Sequence, residues 1–125
     1  MQSEVQRMKK EPEQVNTLNV LGTIYKIGTA SPSTNVKMKN AAGLCECYSK
    51  EIFLDTDENN YDEPMAGFDE YCHKTLRHEA FHAVFHEAGI KRYEDDEDLV
   101  EMLAILYPKI RKIMDEVDGL DISKI

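Results

Sequence analysis

An α+β domain is predicted for this 125-residue chain by three observations. The first half holds short runs of β-branched and aromatic residues. The second half holds apolar residues at i, i+3/i+4 spacing. The change of period falls near Phe68, so strands precede helices rather than alternating with them. The expected architecture is a short antiparallel β-sheet packed on two helices.

Residues 1–16 are polar and charged, include Pro12 and lack a clean period, which predicts a flexible tail and leaves 17–125 as a single domain. "TLNVLGTIYKIGTA" (Thr17 to Ala30) reads as one strand, bent near Gly22, with Val20, Ile24 and Ile27 turned to the core. Ser31 to Gly43 is a loop by composition. "LCECYSKEIFLD" (Leu44 to Asp55) reads as a second strand, antiparallel to the first, with Cys45, Cys47, Ile52 and Leu54 on one face. Thr56 to Gly67 is an acidic, turn-rich loop. From Phe68 to Ala88 an apolar stripe of Tyr71, Leu76, Ala80, Phe81, Val84, Phe85 and Ala88 predicts a helix, and Gly89 is its C-cap candidate. Asp95 or Asp96 can cap a second helix from about Glu97 to Val117. Its core side is expected to hold Leu99, Val100, Leu103, Ala104, Leu106, Ile110 and Ile113, and Pro108 should kink it or split it.

Composition narrows the function classes. A formal net charge of −9 argues against a nucleic-acid surface, because affinity for phosphates comes largely from Lys and Arg. It argues equally against an anionic membrane surface. No apolar run approaches the roughly 20 residues that span a bilayer, and "MQSEVQRMKKEPEQVN" has no apolar stretch of signal-peptide type. The expected location is the cytoplasm. Three cysteines, an odd number, do not suggest a disulfide scaffold. Cys45 and Cys47 form C-x-C rather than the C-x-x-C of zinc knuckles, so they and Cys72 read as reduced, partly buried thiols.

The chemistry is concentrated in "TLRHEAFHAVFHEAGI", Thr75 to Ile90, which contains the H-E-x-x-H string His78-Glu79-Ala80-Phe81-His82. At 3.6 residues per turn, His78 and His82 project from one helix face about one turn apart. Two imidazoles so placed can converge on one Zn²⁺. Glu79, rotated about 100° from His78, can reach a water at the metal without ligating it. A zinc hydrolase needs a third protein ligand and an open position. His86 lies two turns, about 12 Å of rise, from His78, too far along a straight helix. The longer H-E-x-x-H-x-x-G-x-x-H pattern is absent, with Phe85 at its Gly position and Ala88 at its third His position. The third ligand is therefore expected from the next helix, where Glu97 and Glu101 stand at i, i+4; one would ligate and the other would orient a histidine. His73 reads as a surface residue.

"TLRHEAFHAVFHEAGI…DEDLVEMLAILYPKI" resembles the small zincin-like metallopeptidases of phages and integrated mobile elements, which are similar to the ImmA/IrrE-type metallo-endopeptidases. "GLCECYSKEIFL" resembles that group's G-x-C-(D/E)…K-x-I strand, and "LNVLGTIYKI" its opening strand, so the likeness covers about Leu18 to Ile113. The H-E-x-x-H part is specific to zincins and the strand motifs are weaker. The resemblance implies a gluzincin-type fold, with the active-site helix and a second ligand-bearing helix against the sheet. It implies His78 and His82 as zinc ligands and Glu79 as catalytic base. In the ImmA/IrrE pattern an acidic residue stands eleven positions before the proline of A-x-x-L-x-P; here that position is Glu97, which favours Glu97 over Glu101 as third ligand. The Asn two residues further on in that pattern is Leu99 here, which weakens the extension to repressor cleavage.

The expected function is zinc-dependent hydrolysis of a peptide bond in a cytoplasmic protein, with no nucleic-acid or membrane partner; the residues do not fix the oligomeric state or the substrate. Two rivals stand beside it. One is a zinc-containing zincin-fold binding module or virion component without turnover, against which the intact Glu79 counts. The other is a metal-free helical-hairpin interaction protein.

Overall fold

The computed structural model describes residues 16–61 and 66–125. The tail expected over residues 1–16 lies outside the described residues except for Asn16, which opens the first strand. Four strands, β1 (Asn16–Val20), β2 (Thr23–Thr29), β3 (Gly43–Glu46) and β4 (Glu51–Leu54), are followed by α1 (Phe68–Glu87), a single turn α2 (Lys91–Glu94) and α3 (Glu97–Asp118). The α+β class is as expected.

The sheet is mixed, not antiparallel. Its order is β1-β2-β4-β3, with β2 and β4 parallel and the two outer pairs antiparallel. Both strands expected from the sequence are hairpins. The first folds at Leu21-Gly22, where both residues take positive φ (52° and 97°), the two-residue turn whose twist matches its flanking strands. Asn19 Oδ1 accepts the Gly22 N–H at 2.8 Å and closes it. Leu at the first left-handed position hides the turn from a reading that looks for Asn-Gly or Asp-Gly. The second hairpin turns through residues 47–50, with Lys50 at φ 61°. The long segment 30–42, with a 3-10 turn at Val36–Met38 and a fully buried Met38, carries the chain across so that β4 runs parallel to β2.

One face of the sheet packs on α1. The core holds Val20, Tyr25, Ile52 and Ala83, flanked by Leu18, Ile27, Cys45, Leu76 and Val84. Ile24, expected inside, is 53% exposed. Strand alternation turns Tyr25 inward in its place. Tyr25 reaches through the core to Glu87, the last residue of α1, with its hydroxyl 2.6 Å from Oε2. Thr23 and Lys50 donate to the same carboxylate at 2.9 and 2.7 Å. An acidic residue at a helix C-terminus is disfavoured by the helix dipole, and these three donors offset that.

Helix α1 ends in a Schellman motif: Gly89, at φ 76°, donates to His86 O and Ile90 donates to Phe85 O, both at 3.0 Å. Asp96 caps α3 by accepting the Leu99 N–H at 3.0 Å. Helix α3 is not split at Pro108; it is continuous from Glu97 to Asp118. Its buried residues are Val100 and Ala104, whereas Leu106 and Ile113, expected on the core side, are exposed, Ile113 by 55%. The helix simply outruns the body that its first turns pack against. In α1 the fully buried row is Cys72, Thr75, Glu79 and Ala83; of the expected apolar stripe, Leu76 and Val84 pack against the core and Tyr71, Phe81 and Phe85 are half-buried. The aromatic rings stack towards α2 and α3, Phe85 on Tyr93 and Phe81 on Tyr107.

Candidate metal centre

Three side chains from α1 and α3 meet at one point. His78 Nε2 and His82 Nε2 are 3.2 Å apart, and Glu97 Oε1 lies 2.9 Å from the first and 3.1 Å from the second. One helical turn separates the histidines, and the Gly89 corner with α2 brings the first residue of α3 back over them. Tetrahedral zinc held at 2.0–2.1 Å requires donor atoms about 3.3 Å from one another. The triangle matches that size to within a few tenths of an ångström.

The far side of each ring fixes which nitrogen is free. His82 Nδ1 donates to the backbone carbonyl of Glu94 at 2.6 Å, a partner that can only accept. His78 Nδ1 donates to Glu101 Oε1 at 2.8 Å. In a neutral ring each Nε2 is then a bare lone pair. Two lone pairs and a carboxylate oxygen at about 3 Å repel one another unless a cation sits between them, and this donor set of two imidazoles and one carboxylate suits Zn²⁺. Glu101 is held by Lys74 as well, with Nζ 2.9 Å from Oε2. Burial pushes its carboxyl up, but the bonds from Lys74 and His78 outweigh this and hold it below the usual carboxylate range.

Glu79 lies beside the triangle and under β3, only 8% exposed. Burial raises its carboxyl above the ordinary range; neighbouring His78 and His82 oppose the rise, Glu97 adds to it, and the Cys45 backbone N–H opposes it. Its seat depends on Gly43. A Cβ on Gly43 would fall 3.1 Å from Glu79 Cγ, 3.2 Å from Glu79 Oε2 and 2.8 Å from Thr75 Cγ2. The absent side chain is what lets β3 lie directly on the carboxylate. Thr75 Oγ1 is buried there without a hydrogen-bond partner among the described residues. These groups line a cleft of about 570 Å³, with Gly43 and Cys45 on one wall and His78, Glu79, His82 and Glu97 on the other. β3 is an edge strand, and it borders this cleft.

The remaining histidines lie apart from the triangle. His86 Nδ1 pairs with Glu94 Oε2 at 3.1 Å, and His73 is exposed near Asp69. Cys45, Cys47 and Cys72 are free thiols. Sequence reasoning missed Glu94, Lys74, Thr75 and the close approach at Gly43. Only Gly43 had a signal, the glycine that opens the G-x-C string. The sequence matches no protein-family model, no curated protein and no solved structure.

Proposed function

We propose that the chain is a zinc-dependent metallopeptidase of zincin-like, gluzincin type that hydrolyses a peptide bond in a protein substrate. The observation that carries this reading is the triangle of His78 Nε2, His82 Nε2 and Glu97 Oε1, with both histidine tautomers fixed from behind and the Glu79 carboxylate alongside. Glu97, not Glu101, is the third ligand in this reading, and Glu101 is the positioning residue for His78. Zinc bound there would supply a Lewis acid for the scissile carbonyl and a lowered pKa for a water.

The chain's own residues supply the rest. Glu79 takes the proton of the attacking water and returns it to the leaving amine. Its burial favours such exchange, because it draws the carboxyl towards the pH at which the cell works. The peptide adds along the free edge of β3, with backbone hydrogen bonds placing the scissile bond over the cleft. A cytoplasmic substrate and a phage or mobile-element origin accompany the reading through the sequence resemblance. No described helix is long and apolar enough to cross a membrane.

Element analysis of the purified native protein, paired with a proteomic comparison of cells expressing wild type and Glu79→Gln, tests the proposal. Stoichiometric zinc in both proteins and cleavage products in the wild type alone are expected. Metal-free native protein, or equal cleavage by both, would overturn it. Zinc with no cleavage by either would favour the binding module.

A further inference from the structure

Cys45 lies in β3 and Cys47 opens the turn that follows it. Their sulfurs are 3.5 Å apart, without a disulfide. Cys47 Sγ lies within 4.8 Å of a ring nitrogen of His86 and a carboxylate oxygen of Glu94. His86 Nδ1 and Glu94 Oε2 are themselves 3.1 Å apart, and only 23% and 15% of these two side chains is exposed. As C-x-C the two cysteines resemble no metal motif. The fold supplies what the string lacks, by bringing the end of α1 and the turn α2 against them.

We propose that Cys47, His86 and Glu94 form a second site for a divalent cation of the Zn²⁺ class. Zinc holds thiolate sulfur at about 2.3 Å and imidazole nitrogen or carboxylate oxygen at about 2.0–2.2 Å, so a tetrahedral site needs about 3.3 Å between nitrogen and oxygen and about 3.6 Å from sulfur to either. The observed 3.1 Å between His86 Nδ1 and Glu94 Oε2 differs from this by a few tenths of an ångström, and Cys47 Sγ lies within 4.8 Å of both groups. Three protein donors define the site, one from the β3–β4 turn and two from the α1–α2 corner, and Cys45 Sγ stands beside them, 3.5 Å from Cys47 Sγ. Binding releases the Cys47 thiol proton to solvent and leaves the redox state of the sulfur unchanged.

The site also has a mechanical role. Glu94 supplies a carboxylate oxygen to it and, through its backbone carbonyl, holds His82 Nδ1 at 2.6 Å. An ion here ties the β3–β4 turn to the α1–α2 corner and fixes the carbonyl that orients a histidine of the first site. The proposal rests on its own residues and stands whether or not the first site is catalytic.

Titration of the intact, phosphine-reduced chain with Co²⁺ tests it, because only a thiolate site gives a sulfur-to-cobalt charge-transfer band in the near ultraviolet. Wild type should show that band at one equivalent, bleached by added Zn²⁺. Cys47→Ser and His86→Ala should each lose it, with the fold followed by circular dichroism, and His78→Ala should keep it. Wild type without the band would overturn the proposal whatever the variants do. A band that survives Cys47→Ser in folded protein would overturn it as well. A band that persists while His78→Ala, His82→Ala and Glu97→Ala leave metal stoichiometry unchanged supports this site and counts against the first.

Discussion

Arg77 Nε donates to the backbone carbonyl of Ala104 at 2.8 Å. Ala104 lies four residues before Pro108, so its carbonyl is the one that proline, lacking an N–H, leaves without a helical partner. Ala104 is fully buried, and an unfilled acceptor there would be costly. A side chain of α1 thus repairs the ladder of α3, and α3 runs unbroken through a residue expected to kink or split it. Arg77→Met should lower stability by about 1.5–3 kcal/mol, the range for hydrogen bonds to charged groups. In a Pro108→Ala background the restored N–H at 108 fills the carbonyl, so the same substitution should cost much less. A urea double-mutant cycle measures the difference, and additive effects would sink this account.

The site variants should separate ligands from positioning residues. His78→Ala, His82→Ala and Glu97→Ala are expected to abolish binding at the first site. Glu101→Ala should keep one ion there with roughly 10–100-fold weaker affinity, the usual cost of losing a group that orients a histidine ligand. Competitive titration against a chelator reads both effects. Complete loss in Glu101→Ala with Glu97→Ala unaffected would exchange their roles.

Gly43→Ala should destabilise the fold by about 1–3 kcal/mol, the usual range for overpacking, because its Cβ would meet Thr75 Cγ2 at 2.8 Å. Gly28→Ala in β2 is the control, since a Cβ there meets nothing within 4 Å. Equal thermal shifts for the two would show that the close approach is not tight in solution.

Stability should fall with acid in a window set by Glu87. The hydrogen bond from Lys50, then that from Tyr25, holds this carboxyl down to about 2 against an ordinary 4.5. A depressed folded-state pKa stabilises above the unfolded value and is lost as pH falls through the folded one. The contribution is therefore complete above about 4.5 and gone near 2. Glu87→Gln should be less stable than wild type near neutrality and converge with it on acidification. A constant gap in urea midpoint across that range would contradict the assignment.

Much of the helical half was legible in the sequence. The stretch Phe68–Glu87, its Gly89 stop and the start of α3 at Glu97 follow from period and capping, which are local. The approach of an acidic residue of α3 to His78 and His82 was legible too, because only one short corner lies between them, whereas the choice of Glu97 over Glu101 came from the family resemblance. The sheet was not. Parallel pairing of β2 with β4 is decided by how the segment 30–42 crosses the sheet, and nothing in either strand encodes it. The full burial of Thr75 and Glu79 alongside the expected apolar stripe was hidden for a related reason. Hydrophobicity identifies residues that avoid water, but a polar row can face a strand when a glycine opposite lets the backbone close in. Glu94 escaped notice because its part in holding His82 is played by a backbone carbonyl, which every residue type possesses.

The corner between α1 and α3 looks on the surface like an ordinary connector, with several exposed residues. Its hydrogen bonds nonetheless count residues: Gly89 to His86, Ile90 to Phe85, Glu94 to Ile90, Val100 to Asp96. One added residue would turn everything after it by about 100° and advance it by about 1.5 Å, carrying Glu97 away from both imidazoles. The segment from 88 to 96 therefore has no spare length. Insertions that a surface loop usually absorbs would here act like the loss of a ligand, with every ligand still in the sequence.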